Sequence, residues 1–315
     1  MAHATVVDNQ GKVAIIRRVL VGLRALGVGR AVIMPDTYHL GERAVDGLSY
    51  ADQETPDLDL LEMSVTGKPE DSERAARLMV QAGVRALVIL GGDGTVRMVA
   101  KGAGNTPLLP ISTGTNNVLP TFIEGTVAGL AAAAVALRRI EVSHIAIRHK
   151  WIELLVNGES NDGALVDVAT LAGHFLGARA VWNAGDLRQV AVTRADPATI
   201  GISAIAGVVH PVAPEEPLGV ALDLSPQARQ RVLAPIGPGL MAEVGIASTH
   251  ILWPGGTFAV ISERPIILAM DGERAIVLHD GEEAVLRLRD DGPWLIDPRR
   301  VMVEVVASGL LDRSR

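Results

Sequence analysis

Two patterns along the chain predict an α/β fold in two parts. The first half of the 315 residues alternates helically spaced apolar residues with short apolar runs. The second half strings short apolar runs together with Gly, Pro, Asn and Asp between them and has few long helical patterns. Composition points the same way: 48% hydrophobic residues but only 3% aromatics require an aliphatic core, which suits buried parallel strands under helices. We expect an N-terminal Rossmann-like parallel-sheet domain at 1–140 and a C-terminal β-rich, β-sandwich-like domain at 141–298. Residues 299–315 should add a strand, Val301 to Val306, that returns to either domain, the first being the better candidate.

The elements follow in order. Val13 to Leu26 has helical spacing stopped by Gly27; Ala31 to Met34 is a strand ended by Pro35; Leu60 to Val65 is another candidate strand. Asp71 or Ser72 can cap a helix that runs to Ala82, with Gly83 closing it. Val84 to Leu90 reads as a buried strand, Val96 to Ala103 as a helix, Leu108 to Ile111 as a strand, and Thr126 to Arg139 as a helix. Beyond Ser143, strands are expected at Ile145 to Arg148, Trp151 to Val156, Ala164 to Leu171, Gly219 to Asp223, Phe258 to Ser262 and Ala284 to Leu288.

Bulk properties exclude several classes. A net charge of −7 repels nucleic acid and anionic membranes as a global field, and the few aromatics argue against base stacking. With no cysteine there are no disulfides, thiolate zinc sites or cysteine nucleophiles. The start has no signal-peptide pattern and no apolar run reaches about 18 residues, so a cytoplasmic location is expected. A homo-oligomer, dimer or tetramer, is expected as well. The eight histidines show no metal-ligand spacing, His174, His210 and His250 being isolated. No Walker motif is present, and Gly237 to Ala242 fits a dinucleotide pattern only loosely, with Pro238 inside it.

The chemistry concentrates in Gly91-Gly92-Asp93-Gly94-Thr95, where a buried strand gives way to a helix. Glycine permits positive φ and lets N–H groups approach a ligand, and a helix start favours anions, so phosphate suits this loop. A carboxylate beside phosphate must bind a metal or take a proton, which makes Asp93 a Mg²⁺ ligand or a general base. A second loop, Ser112-Thr113-Gly114-Thr115-Asn116-Asn117, also follows a strand and offers hydroxyls, amides and main-chain donors to a nucleotide; as a capped turn it would need no ligand. If the two strands are neighbours, both loops open on one crevice. Arg97 and Lys101 could offset phosphate charge.

These motifs resemble the NAD kinase and diacylglycerol kinase superfamily. Gly91 to Thr95 is similar to its GGDGT signature and Gly114-Thr115-Asn116-Asn117 to its second nucleotide loop. Ile111 to Val118, with Asp8-Asn9, Ile33 to Asp36 and Thr66-Gly67 through Asp71-Ser72, most resembles the acetoin catabolism protein X branch of the ATP-NAD kinases. The resemblance implies an ATP- and Mg²⁺-dependent kinase with Asp93 as the catalytic carboxylate and a hydroxyl acceptor, the 2′-OH of NAD first. It implies acceptor or nucleotide contacts from Asn157 and from Gly163 through Asp167. Asp271-Gly272-Glu273 would help hold a metal, although Asp271-Gly272 also reads as a hairpin turn. A nucleotide-binding accessory protein of acetoin-type catabolism and a lipid-type kinase are the alternatives. Three departures stand out: no counterpart of the relatives' opening strand and Asn-Pro-x-Ser-Gly loop, Asn117 where lipid kinases carry Asp, and no clear Asn-Glu motif of the kind NAD kinases carry. A missing first strand would expose a sheet edge.

Overall fold

The structure is a computed structural model that describes residues 7–49, 54–172, 184–261, 265–272 and 274–312. His174, Ser262 and Glu273 lie outside the described residues. The chain divides into two compact units. The α/β unit holds the described residues up to Gly114, Pro120–Ile147 and those from Pro293 on; the β unit holds Thr115–Leu119 and Arg148–Gly292.

In the α/β unit the order is α1 (Asn9–Ala25), β1 (Arg30–Ile33), α2 (Leu40–Ser49), β2 (Asp57–Leu60), α3 (Glu70–Gln81), β3 (Leu87–Gly91), α4 (Asp93–Ala103), β4 (Leu108–Ser112), α5 (Gly125–Ala136), α6 (Val142–Ile145) and β5 (Ala146–Arg148). The alternation read from the sequence is present, and all the pairings described here are parallel: β1 with β2, β3 with β4, and β4 with a later strand. Asp8 caps α1 by accepting from the Gly11 N–H at 2.6 Å. α1 and α5 meet main chain to main chain: a Cβ on Gly22 would lie 2.9 Å from the Leu130 nitrogen, and one on Gly125 2.8 Å from the Ile15 oxygen. Buried Ala128, Ala131, Ala132 and Ala134 of α5 then seal against Leu109 and Ile111.

Some expected elements moved. β2 begins earlier than the Leu60 to Val65 run, because pairing with β1 sets its register from Arg30↔Asp57 to Ile33↔Leu60. α2 was not expected; Gly41 and Gly47 blur its helical spacing. Neither Asp71 nor Ser72 caps α3. Asp71 sits inside its first turn, and its carboxylate accepts from the N–H and hydroxyl of Thr66 and from the Gly67 N–H, at 2.8 to 2.9 Å. It therefore ties down the preceding loop.

The β unit runs β6 (Trp151–Val156), β7 (Glu159–Ala164), β8 (Asp167–Ala172), β9 (Leu187–Val192), α7 (Ile202–Val209), β10 (Gly219–Leu224), β11 (Gln230–Gly237), β12 (Leu240–Leu252), β13 (Thr257–Ala259), β14 (Ile266–Met270), β15 (Arg274–Leu278) and β16 (Ala284–Arg289). Two antiparallel sheets result, β11-β12-β10-β9-β8-β14-β15 and β13-β16-β6-β7. Period-2 burial lets Val168 and Leu268 of the first sheet share a core with Ile152, Leu154, Leu286 and Leu288 of the second. On the other face of the large sheet, Ile205 and Ala206 of α7 pack on Val190, Val220, Leu222 and Val244. The loose dinucleotide pattern is a tight hairpin: Gly237 pairs with Leu240, and Gly239 takes φ 69° in the turn between β11 and β12.

The chain then returns to the α/β unit through β17 (Trp294–Ile296), which extends its sheet to β3-β4-β17-β5, and α8 (Pro298–Ala307). The C-terminal strand expected at Val301 to Val306 is a correction: it is helix. Asp297 caps it by accepting from the N–H groups of Arg299 and Arg300, and Pro298 opens it. Val301 and Val305, one turn apart, are the buried pair, while Val303 and Val306 face outward.

Candidate functional site

β3 ends at Gly91, Gly92 stands as the N-cap in extended conformation, and α4 starts at Asp93. The first helical bond from the loop runs from the Val96 N–H to the Gly92 oxygen, at 3.1 Å. Helix geometry leaves the N–H groups before it without an intrahelical acceptor, at the positive end of the helix dipole. None of the three loop glycines takes positive φ. Gly91 is required for space. A Cβ there would sit 2.7 Å from both Cβ and Oγ1 of Thr95, so the loop folds flat against its own helix start. Gly94 is buried, and Asp93 is half-buried at the head of the helix. Arg97, one turn further on, is buried with 6% exposure, so it is not the solvated helix surface common for such residues.

β4 is the neighbour of β3, and Gly91 pairs with Ser112. The two loops therefore leave adjacent parallel strands at the same level, as expected. Ser112 and Thr113 are 3% and 4% exposed. The Ser112 hydroxyl donates to the Gly114 oxygen at 2.7 Å, its N–H donates to Thr121 at 2.9 Å, and the Thr113 oxygen accepts from the Val7 N–H at 2.7 Å. These two residues frame the loop. Thr115 and Asn116 are exposed and Asn117 is half-buried. All three belong to the β unit, where the Asn116 amide oxygen lies 3.1 Å from the Cβ position of Gly201, the N-cap of α7.

Strand order reverses next to β3. The chain runs from β1 outward to β2, then crosses back to β3 on the other side. In open α/β sheets ligands bind outside the carboxyl ends of strands at such a reversal. The glycine loop lies at that point.

In the β unit the residues expected around an acceptor are part of a buried frame. Asp271 takes φ 48° between β14 and β15, and Gly272 takes φ 70°. The Asp271 carboxylate accepts from the N–H groups of Leu165, Val166 and Asp167 at 2.9, 2.7 and 3.2 Å. Both oxygens serve three successive amides, in the turn that the residue types also suggested. Among the described residues no group of three or more His, Cys, Asp or Glu could hold a metal ion. Asn157 takes φ 51° in the β6–β7 turn; its N–H donates to the Glu283 oxygen at 2.7 Å and its amide oxygen accepts from the Glu283 N–H at 2.9 Å. That engagement makes it a turn residue. Asp167, 9% exposed, begins β8 directly after the pinned bend.

Sequence reasoning missed the residues that hold this bend. His149 is buried and its Nε2 lies 2.9 Å from the Leu165 oxygen, which also accepts from the Thr193 hydroxyl at 2.7 Å. Burial, reinforced by the charges of Arg194 and Lys150, pushes the His149 pKa down to about 4. The imidazole is neutral at pH 7, so Nε2 carries the hydrogen and donates. Lys150, also buried, donates to the carbonyls of Glu216 and Leu218, and burial lowers its pKa to about 8. No spacing marks this set; only folding gathers 149–150, 165–167, 193–194 and 271.

The comparisons with known proteins follow this geometry. Residues 37–140 match the model of the ATP-NAD kinase N-terminal domain. Yeast NADH kinase, solved with NADH, superposes with a TM-score of 0.51 and 16% identity over 95% of this chain and 85% of that chain. An NAD kinase from Archaeoglobus fulgidus, solved with ATP, gives a TM-score of 0.48 and 15% identity over 89% of this chain and 98% of that chain. Parallel sheet, glycine loop and antiparallel second unit thus define an NAD kinase-like protein. Residues 150–291 match the acetoin catabolism protein X C-terminal domain. Acetoin catabolism protein X of Cupriavidus necator is 37% identical over 308 residues, covering 94% of this chain and 85% of the relative. The chain belongs to the acetoin catabolism protein X family, on an NAD kinase-like fold.

Proposed function

We propose that the chain is an ATP- and Mg²⁺-dependent phosphotransferase whose acceptor is an alcohol, with the 2′-OH of NAD first among candidates. The observation that carries this is Asp93 at the head of α4, one residue beyond the N-cap and level with the end of β4. A phosphate chain fits an amide-lined helix start that has no room for a side chain at Gly91. Gly91, Gly92, Gly94 and Thr95 cradle phosphate; Gly114 to Asn117 orient the nucleotide on the frame made by Ser112 and Thr113. Asp93 anchors the metal or accepts the acceptor's proton. Asp167 contributes on the acceptor side. Catalysis in such a site rests on positioning and charge stabilisation. The likeness to a kinase solved with NADH agrees with this ligand class. We place the reaction in the cytoplasm and in a homo-oligomer.

The test is ADP release from ATP and Mg²⁺ with a panel of hydroxyl acceptors, NAD first, beside Asp93→Asn. Turnover that the substitution cuts by about a hundredfold or more supports the reading. Turnover untouched by it removes Asp93 from the mechanism. A second reading is a nucleotide-binding accessory protein. ATP or NAD binding without any turnover would establish it in place of the first.

A further inference from the structure

Asp223, Ser248 and His250 meet on one face of the large sheet in the β unit. Asp223 of β10 pairs in register with Ser248 of β12 on one side and with Gln189 of β9 on the other. His250 lies two residues along β12 from Ser248, so both side chains leave the same face. The His250 Nε2 is 2.8 Å from the Ser248 hydroxyl oxygen and 3.0 Å from Asp223 Oδ2, and the Ser248 hydroxyl donates to that same Oδ2. His250 is isolated in the sequence, but folding gives it two neighbours of ligating chemistry. The cluster is open to water: the side chains of His250 and Asp223 are 46% and 34% exposed.

The carboxylate is fixed from behind. Gln189 is buried, with its Nε2 donating to Asp223 Oδ1 at 2.9 Å and to the Ala259 oxygen at 3.1 Å, and its Oε1 accepting from the Ile261 N–H at 3.0 Å. A buried amide is costly unless its groups are bonded. This one is anchored to the main chain at the end of β13 and sets the rotation of the Asp223 carboxylate. Burial alone would raise the Asp223 pKa, but the bonds from Ser248, Gln189 and His250 hold it below the usual carboxylate range. Oδ2 is therefore a charged oxygen turned towards His250 and Ser248. Phe258, from the core shared by the two sheets, packs on the imidazole with ring centroids 5.2 Å apart.

Three donor atoms thus converge on one point. An ion about 2.1 Å from each ligand, with angles between a right angle and the tetrahedral one, holds those ligands about 3.0 to 3.4 Å apart. The distances from Nε2 to Oδ2 and Oγ are close to that spread, so small side-chain adjustments admit an ion. An imidazole nitrogen beside a carboxylate and a hydroxyl suits a first-row transition ion, whereas Ca²⁺ and Mg²⁺ take oxygen ligands. Ligating carboxylates are oriented by a further hydrogen bond, which Gln189 supplies. We propose that Asp223, His250 and Ser248 form a site for a divalent transition-metal ion of the Zn²⁺ class, with water completing the coordination and Gln189 as the positioning residue. The set holds only two of the usual ligand types, the third donor being a hydroxyl. This site lies wholly within the β unit and does not depend on the kinase reading.

The test titrates Zn²⁺ alone into the chelator-treated full chain, followed by calorimetry and by the His250 ring resonances in NMR. His250→Ala, Asp223→Asn and Gln189→Ala are titrated beside it, with circular dichroism to check the fold. Zn²⁺ should move the His250 resonances of the unsubstituted chain. Loss of either ligand should weaken binding about tenfold or more, and Gln189→Ala, which keeps all three donors, by about tenfold. Co²⁺ in place of Zn²⁺ should give a visible absorption band that His250→Ala loses. His250 is exposed, so that variant keeps the fold and the comparison stands even where Gln189→Ala does not fold. Zn²⁺ binding that His250→Ala and Asp223→Asn retain at full strength, or His250 resonances that Zn²⁺ leaves unmoved, overturns the proposal and reduces the cluster to a hydrogen-bonded network.

Discussion

His149 and Asp271 show how single buried groups fix the β unit. The folded-state pKa of His149 is about 4, below the ordinary 6.5. The unfolded chain therefore binds more protons between those values, and stability falls as pH drops from 6.5 towards 4. The loss attributable to this group is about 3 kcal/mol. His149→Gln should flatten that part of the pH dependence, as read by urea unfolding at pH 7 and pH 4.5; an unaltered slope would show that the imidazole is not the titrating group. Asp271→Ala removes a charged acceptor from three amides and should cost about 3 kcal/mol or more, with Asp271→Asn recovering part. Were Asp271 a metal ligand, that cost would instead depend on added Mg²⁺.

Elements are held apart by very little in the α/β unit. A Cβ on Gly129 of α5 would lie 2.9 Å from the Gly22 Cα of α1. Gly129→Val must separate the two helices and should lower stability by about 3 kcal/mol, checked by thermal melts. At the functional loop the same steric argument applies on a smaller scale. Gly91→Ala drives a methyl into Thr95 and displaces the first turn of α4. ATP affinity should fall about tenfold or more while the β unit keeps its fold, measurable by calorimetry and circular dichroism. Full affinity in Gly91→Ala would mean that phosphate does not rest on that turn.

For the whole molecule, ligand binding and stability are linked. A nucleotide that binds only the folded chain at a hundred times its Kd adds about 2.7 kcal/mol. In a chain of this size that raises Tm by about 4 °C. ATP with Mg²⁺ should produce such a shift, and inorganic sulfate at matched ionic strength should not. Equal shifts from both would reduce the site to general anion binding. The net charge of −7 opposes anionic ligands at long range, so affinity should be carried by local amide geometry.

The sequence alone determined the alternation of α1 to β4 apart from α2 and the start of β2, the antiparallel second half and the position of the glycine loop. Those signals are local: apolar period, turn residues and a strand-to-helix junction can each be read within about ten residues. Tertiary structure decided the rest. Val301 to Val306 alternates enough to pass for a strand, and only Asp297, Pro298 and the burial of Val301 with Val305 make it a helix. Asp271-Gly272-Glu273 has the residue types of a metal site, yet Asp271 spends its oxygens on amides more than a hundred residues away in sequence. The buried His149 leaves no mark in the linear pattern either. Strand order, register and burial depend on partners distant in sequence, and their energies arise only when those partners meet.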